Sequence, residues 1–281
     1  MPDVLVIGGS GLLGQSLVGE AKARGLHVQA TYAGDAIARG IRTDLADPVG
    51  TLEALRGVRP DVVFLAAAMT DVDGCESDPD RAAAVNADAP REIAKACDSL
   101  GIRLVHFSTD YVFAGTATVA YGEEASPTPL SVYGRTKLEG ERNVLAALRS
   151  ALLIRTSANF GWNRMRKKTN AVTWILEKLR KNEEVPLFTD QRVTPSYVPQ
   201  VAHVAFDLLD RNAEGIFHVA STDSWSRFDM GRAVCDVFGL PERLLKPIRL
   251  SDLRLKARRP IRACLAVGKV ERFLDMHLPA F

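Results

Sequence analysis

Short apolar runs and amphipathic stretches alternate along the first half of the chain. Val4-Leu5-Val6-Ile7 is continuously apolar and stops at glycines, which predicts a buried parallel strand. Leu13, Leu17, Val18 and Ala21 then recur at near-helical spacing, predicting a helix from Leu12 to Arg24 that ends at Gly25. The same alternation predicts strands at Leu26–Thr31, Ile41–Leu45, Val62–Ala66, Ile102–Phe107 and Leu152–Arg155. Helices are expected from Pro48 to Gly57, from Asp80 to Leu100 with a bend or break at Pro90, and from Val132 to Arg149. Strands that alternate with helices give a parallel sheet covered on both faces, joined by right-handed crossovers.

After Arg155 the rhythm breaks. A helix is expected over Thr173–Lys181, a loop over Thr189–Pro199, a helix over Val201–Arg211 and a last strand over Gly215–Val219. The fold class is therefore α/β: a Rossmann-like, doubly wound parallel sheet with a smaller, irregular C-terminal domain. The division reads as residues 1–156, with 197–220 returning, for the sheet domain, and 157–196 plus 221–281 for the second.

Composition narrows the functional classes. The 281 residues carry 36 Lys+Arg against 34 Asp+Glu, a formal charge of +2, so a general nucleic-acid or membrane-surface binder is not indicated. The neutral total conceals a basic tail, because ten Lys/Arg face four Asp/Glu from Pro241 onward. Cys75, Cys97, Cys235 and Cys264 form no C-x-x-C pair, so no metal site is expected. The longest apolar run, Val62 to Met69, is too short to span a bilayer. Met1 leads almost at once into the first strand, and the expected location is the cytoplasm. No dimerisation signature is evident, and a homodimer stays open.

Gly8-Gly9-Ser10-Gly11-Leu12-Leu13-Gly14 joins the first strand to the first helix, with glycines at 8, 11 and 14. A turn of this kind lets a dinucleotide pyrophosphate approach the backbone and rest on the helix amides. The second strand ends Ala30-Thr31-Tyr32-Ala33, with no acid before Asp35 and with Arg39 and Arg42 nearby. A carboxylate at that strand end would repel a 2′-phosphate, so NADP is favoured over NAD. Asp44-Leu45 is placed either to bond the adenine or, through Asp44, to cap the helix near Pro48.

Tyr133 and Lys137 are four residues apart and share one helical face. An ammonium beside a phenol is expected to lower the phenol pKa from about 10 and to ease proton exchange. The fifth strand runs out into Ser108-Thr109-Asp110-Tyr111, at the sheet end where ligands of such folds bind. Thr109 can therefore bond the oxygen that Tyr133 protonates. His106, within that strand, reads as a bonded core residue.

Gly8-x-x-Gly11-x-x-Gly14, Thr109 and Tyr133-x-x-x-Lys137 resemble the extended short-chain dehydrogenase/reductases. More narrowly, Ala67 to Asp73, Cys75-Glu76, Val85-Asn86-Ala87, Ser108 to Phe113 and Val132 to Glu141 resemble the dTDP-4-dehydrorhamnose reductase family. Arg155-Thr156-Ser157, Asp190-Gln191 and Ala257-Arg258-Arg259-Pro260 extend the likeness over nearly the whole chain. The resemblance implies NADPH-dependent reduction of a 4-keto group on a nucleotide-linked deoxy sugar. By the same resemblance Thr109, Tyr133 and Lys137 are the catalytic set. Gly8, Ser10, Gly11, Leu12 and Leu13, with Asp44, Leu45, Ala66, Ala67 and Ala68, then hold the cofactor beside Tyr133 and Lys137. Thr70, Asp71, Val72, Thr109, Asp110, Tyr111, Ala158 and Arg259 fall to the substrate.

Two departures concern the substrate half. Family members carry an aromatic residue after Arg-Thr-Ser, where this chain has Ala158, and Gly-x-Pro-Thr after Asp-Gln becomes Arg192 to Ser196. The cations Arg164, Arg166, Lys167 and Lys168 read either as a solvated loop or as a diphosphate clamp helped by Arg258 or Arg259. Two rival readings stand beside the reductase. One is an NAD-retaining sugar-nucleotide epimerase or dehydratase; the dehydratases need an Asp-Glu after the Thr, where this chain has Asp110-Tyr111, and the epimerases resemble it less in that segment and usually have a longer C-terminal domain. The other is a non-catalytic NADP-binding partner like the β subunit of methionine adenosyltransferase.

Overall fold

The computed structural model describes residues 3–165 and 169–281. In chain order the elements begin with β1 (Val4–Ile7), α1 (Leu12–Ala23), β2 (Val28–Tyr32), β3 (Ile41–Arg42), α2 (Pro48–Val58) and β4 (Val62–Leu65). Next come α3 (Val72–Ser77), α4 (Pro79–Ala83), a π-turn (Ala84–Asp88), α5 (Ala89–Leu100), β5 (Arg103–Thr109), α6 (Val132–Ala147) and β6 (Leu152–Thr156). The later part holds α7 (Ala171–Arg180), β7 (Val185–Phe188), β8 (Arg192–Val193), α8 (Val198–Asp210) and β9 (Gly215–His218). It ends with β10 (Trp225–Ser226), α9 (Arg227–Phe238), β11 (Leu245–Ile248) and α10 (Gly268–Leu274).

Seven strands form one parallel sheet in the order β3-β2-β1-β4-β5-β6-β9. β1 and β4 are buried on both faces, which explains why their sequences are unbroken apolar runs rather than alternating ones. One face packs Leu13 and Leu17 of α1, Val201 and Phe206 of α8 and Val270 of α10 against Val6, Phe64 and Phe107. The other packs Leu55 of α2, Ile93 and Cys97 of α5 and Val144 of α6 against Leu5, Val63 and Leu153. A third apolar cluster, away from the sheet, joins Ile175 and Leu179 of α7 to Val234 of α9 and to β7 and β11. The sheet reverses its winding between β1 and β4, and such a reversal opens a crevice at the carboxyl ends of the strands.

The core elements follow the hydrophobic pattern, while several boundaries differ. β3 is only two residues long, because the chain past Arg42 turns through Thr43 and Asp44. The break in the 80–100 stretch lies before Pro90, not at it. Pro90 sits in the first turn of α5, where its missing N–H costs little, and the π-turn at Ala84–Asp88 takes up the misfit. α8 starts at Val198, with Pro199 in its first turn, so the expected loop ends earlier than its proline suggests. Helices α3, α9 and α10 and the small two-stranded pairs β8–β10 and β7–β11 carry no adequate periodic signal in the sequence. The four cysteines are free and buried.

Candidate active site

The crevice is a cleft of about 580 Å³, lined by the carboxyl ends of β1, β2, β4 and β5, the start of α1 and the first turns of α6. At one end the chain leaves β1 through Gly8, whose φ of 91° suits glycine. A Cβ at Gly8 would lie 2.8 Å from Ala67, and one at Gly14 only 2.1 Å from the Gly8 carbonyl oxygen. Gly8 Nα donates to Thr31 Oγ1 at 3.2 Å, which ties this turn to β2. Gly11 caps α1 without a side-chain bond, leaving first-turn amides at the cleft, where Gly11, Leu12 and Leu13 line the wall. This is a cradle that a dinucleotide pyrophosphate fits: close backbone, amide donors and a positive helix end.

Ser10, Leu45, Ala66, Ala67 and Ala68 also line the cleft. Asp44 lines it too, but it does not cap α2. That role belongs to Asp47, whose carboxylate accepts from Val49 Nα, while Asp44 accepts from Ala46 Nα and pairs with Arg81 at 3.5 Å. Arg39 and Arg42 are exposed and absent from the wall, whereas Arg81 reaches it. The stretch after β4 is fixed by Asn86, which is fully buried. Its Oδ1 accepts from Met69 Nα at 2.9 Å, and its Nδ2 donates to Met69 O and to Thr136 Oγ1. The Val85-Asn86-Ala87 motif thus positions the cleft wall from behind.

At the other end stand Thr109, Tyr133 and Lys137, all buried against the sheet and all on the wall. Ser131 caps α6 by accepting from Gly134 Nα, which sets the first turn on which Tyr133 sits. The Tyr133 phenol and Thr109 share the wall, and the Thr109 side chain acts to lower the phenol pKa. Thr109 Oγ1 donates to Asp110 Oδ1 at 3.0 Å, and Ser157 Oγ donates to Asp110 Oδ2 at 2.7 Å. Burial pushes the Asp110 carboxyl up to about 6, against the pull of its bonds from Ser157 and Thr109. Lys137 Nζ donates to the Phe107 carbonyl at 2.8 Å and lies 3.4 Å from His106 Nε2. Burial lowers Lys137 to about 8, with Glu141 acting in the opposite direction.

The net effect on the phenol differs from the expected lowering. Burial raises the Tyr133 pKa, with the Asp110 charge acting in the same direction and the Thr109 side chain offsetting part of it. Tyr133 is consequently a protonated phenol at neutral pH. His106 has an acceptor nitrogen towards Lys137, and its other nitrogen, Nδ1, has no partner among the described residues.

Of the residues assigned to the substrate, Thr70, Val72, Asp110, Tyr111 and Ala158 line the same cleft. Tyr111 meets the Tyr133 ring edge-on, with centroids 5.5 Å apart. Ala158 holds φ at 44°, a left-handed conformation that is strained for a residue with a Cβ. Asp71 and Arg259 are not on the wall. Asp71 caps α3 by accepting from Gly74 Nα, and Arg259 forks onto both oxygens of Asp73, at 2.9 and 2.7 Å. Arg166, Lys167 and Lys168 of the cationic run lie outside the described residues. Two cationic wall residues have no counterpart in the sequence reading: Arg81, and Arg227, the first residue of α9. A lone arginine after Trp225-Ser226 carries no motif that could have marked it.

Comparison with known proteins finds the model of the RmlD substrate binding domain matching residues 2–281. The probable low-salt glycan biosynthesis reductase Agl14 of Haloferax volcanii is 38% identical over 281 residues, covering 98% of this chain and 93% of the relative. The β subunit of methionine adenosyltransferase 2 from Bos taurus is 32% identical over 274 residues, 95% of this chain and 81% of the relative. The dTDP-4-dehydrorhamnose reductase of Bacillus anthracis, solved in complex with NADP, superposes with a TM-score of 0.89 at 25% identity. That match covers 100% of this chain and 96% of the solved one.

Proposed function

The chain belongs to the RmlD substrate binding domain family, and on that footing we propose that it reduces a 4-keto group on a nucleotide-linked deoxy sugar with NADPH. At the coarser level it is an NAD(P)-dependent sugar-nucleotide reductase, as the reductases similar to it along nearly their full length support. The observation that carries the finer reading is the burial of Thr109, Tyr133 and Lys137 together at the end of a cleft whose other end is a glycine-turn cradle. Residues 157–196 and 221–281 are assigned to substrate binding.

In this reading Gly8, Gly11 and the first-turn amides of α1 would hold the NADP pyrophosphate, with Ala66 to Ala68 on the same wall. The cofactor, when bound, would supply the hydride. Tyr133 delivers its proton to the C4 carbonyl oxygen as negative charge gathers there. Thr109 orients that oxygen through its hydroxyl, and Asp110 fixes the Thr109 hydroxyl in turn. Lys137, held by the Phe107 carbonyl, anchors the ribose hydroxyls beside Tyr133.

The test is NADPH consumption with dTDP-4-dehydrorhamnose and with other 4-keto sugar nucleotides. Tyr133→Phe should lower kcat by roughly 10²–10⁴ while NADPH affinity stays nearly constant. Full activity in that variant would overturn the role of Tyr133. The methionine adenosyltransferase β subunit at 32% identity supports a second reading, a binding partner that keeps the fold. Tight NADPH binding without turnover of any 4-keto sugar nucleotide would favour it.

A further inference from the structure

Three cations line the cleft among the described residues: Arg81, Lys137 and Arg227. Arg81 is paired with Asp44, and the Lys137 ammonium is bonded to the Phe107 carbonyl. Arg227 differs from both. Its only side-chain contact of hydrogen-bonding type is from Nη1 to the Met230 sulfur, at 3.8 Å, and none of the described carboxylates forms an ion pair with it. It lies on the cleft wall. Arg227 is also the only wall residue among the described ones that lies beyond Asn170, so it is the single contribution of the C-terminal segment to the site.

A guanidinium packed into a wall without a direct ion pair is costly to hold there, and an oxyanion ligand offsets that cost. The surroundings show which ligand is meant. Arg227 exerts its charge on Asp110 and Tyr111, the residues that follow Thr109, and so it sits at the substrate end rather than at the glycine turn. Asp110 attracts Arg227 from nearby but forms no ion pair with it, and its two oxygens accept from Thr109 and Ser157. Arg259, which the sequence offered as a phosphate ligand, is consumed by Asp73. Ala158, a small side chain, lines the same wall.

We propose that Arg227 is the anion anchor of the substrate, its fork taking an oxyanion carried by the sugar nucleotide. Two parts of such a substrate offer that chemistry: the diphosphate, and a carboxylate on the sugar ring. Both are matched by a bidentate guanidinium, and neither is matched as well by a lysine. The inference rests on the sugar-nucleotide reading above and names the residue that selects within it.

The experiment compares wild type with Arg227→Gln and Arg227→Lys by calorimetric binding of thymidine, dTDP, UDP, UDP-glucose and UDP-glucuronic acid, with NADPH as the folding control. If the diphosphate is the partner, Arg227→Gln weakens dTDP and UDP by roughly 10–100-fold and leaves thymidine and NADPH unchanged. If the carboxylate is the partner, the same loss appears for UDP-glucuronic acid but not for UDP-glucose or UDP. Partial recovery in Arg227→Lys supports either arm. Unchanged binding of all the anions by a variant that still binds NADPH overturns the anchor and leaves the reductase reading standing. A loss confined to NADPH also overturns it, by moving Arg227 to the cofactor. Wild type that binds NADPH but none of these nucleotides removes the sugar-nucleotide reading itself, and the anchor with it.

Discussion

Tyr133 and Asp110 divide the work of the candidate site by having opposite needs. The phenol is useful as an acid only while it stays protonated, and burial keeps it so. The Asp110 carboxyl is useful as an acceptor only while ionised, and burial has pushed it up to about 6, close to the working range. Below that value it gains a proton, loses its charge and becomes a weaker acceptor for Thr109 Oγ1. The acid limb of kcat/KM is therefore expected to fall away beneath a pH near that of Asp110. Asp110→Asn should flatten this limb and lower the rate on the plateau, as read from a pH–rate profile. An unaltered limb in the variant would assign it to another group. Thr109, Tyr133 and Lys137 were legible in the sequence because strand end and helical spacing bring them together locally. The sign of the effect on Tyr133 was not legible, because it depends on burial.

Close approach between elements fixes the cleft more than any single side chain does. Gly140 of α6 faces the π-turn so closely that a Cβ there would lie 2.1 Å from the Asn86 carbonyl oxygen. That contact seats α6, which carries Tyr133 and Lys137, against the segment whose Asn86 holds Met69. Gly140→Ala should cost about 1–3 kcal/mol in denaturant unfolding, since the obstacle is backbone and cannot rotate away. Turnover should fall as α6 is displaced. Gly19, with nothing near its Cβ position, is the matched control in α1. Sequence spacing identified the helix; it could not show that one face of it touches a π-turn some fifty residues earlier in the chain.

At the scale of the molecule, a buried polar chain couples the sheet to the later segments. Glu141 of α6 receives a two-point bond from Arg155 of β6, at 2.8 and 2.6 Å. Arg155 Nη1 lies 3.4 Å from His218 Nε2 in β9, and His218 Nδ1 lies 3.1 Å from the Tyr121 carbonyl oxygen. With Nδ1 donating to that carbonyl, Nε2 is left to accept from Arg155. Burial, with the Arg155 charge, lowers His218 to about 3, while an unfolded histidine titrates near ~6.5. Between those values the unfolded chain holds the extra proton, so stability is complete above the upper value and declines as the pH drops through the window. Replacing this histidine, as in His218→Gln, should flatten the acid slope by about one proton in unfolding measured against pH. An identical slope would place the linkage elsewhere. The Asp73–Arg259 fork is a second long-range tie, joining α3 to the chain before α10.

By itself the sequence determined the parallel sheet, its helices and the glycine turn, because strand and helix periods and the turn residues act over a few positions. It also determined that Thr109, Tyr133 and Lys137 belong at one end of that sheet. Only the tertiary structure decided which cations remain open to a ligand. Arg259 is spent on Asp73, Arg39 and Arg42 face solvent, and Arg227 alone comes from the C-terminal segment to the cleft wall. Whether a charge binds ligand or protein depends on which partner the fold brings within a few ångströms of it, and that distance is set by packing between segments far apart in the chain.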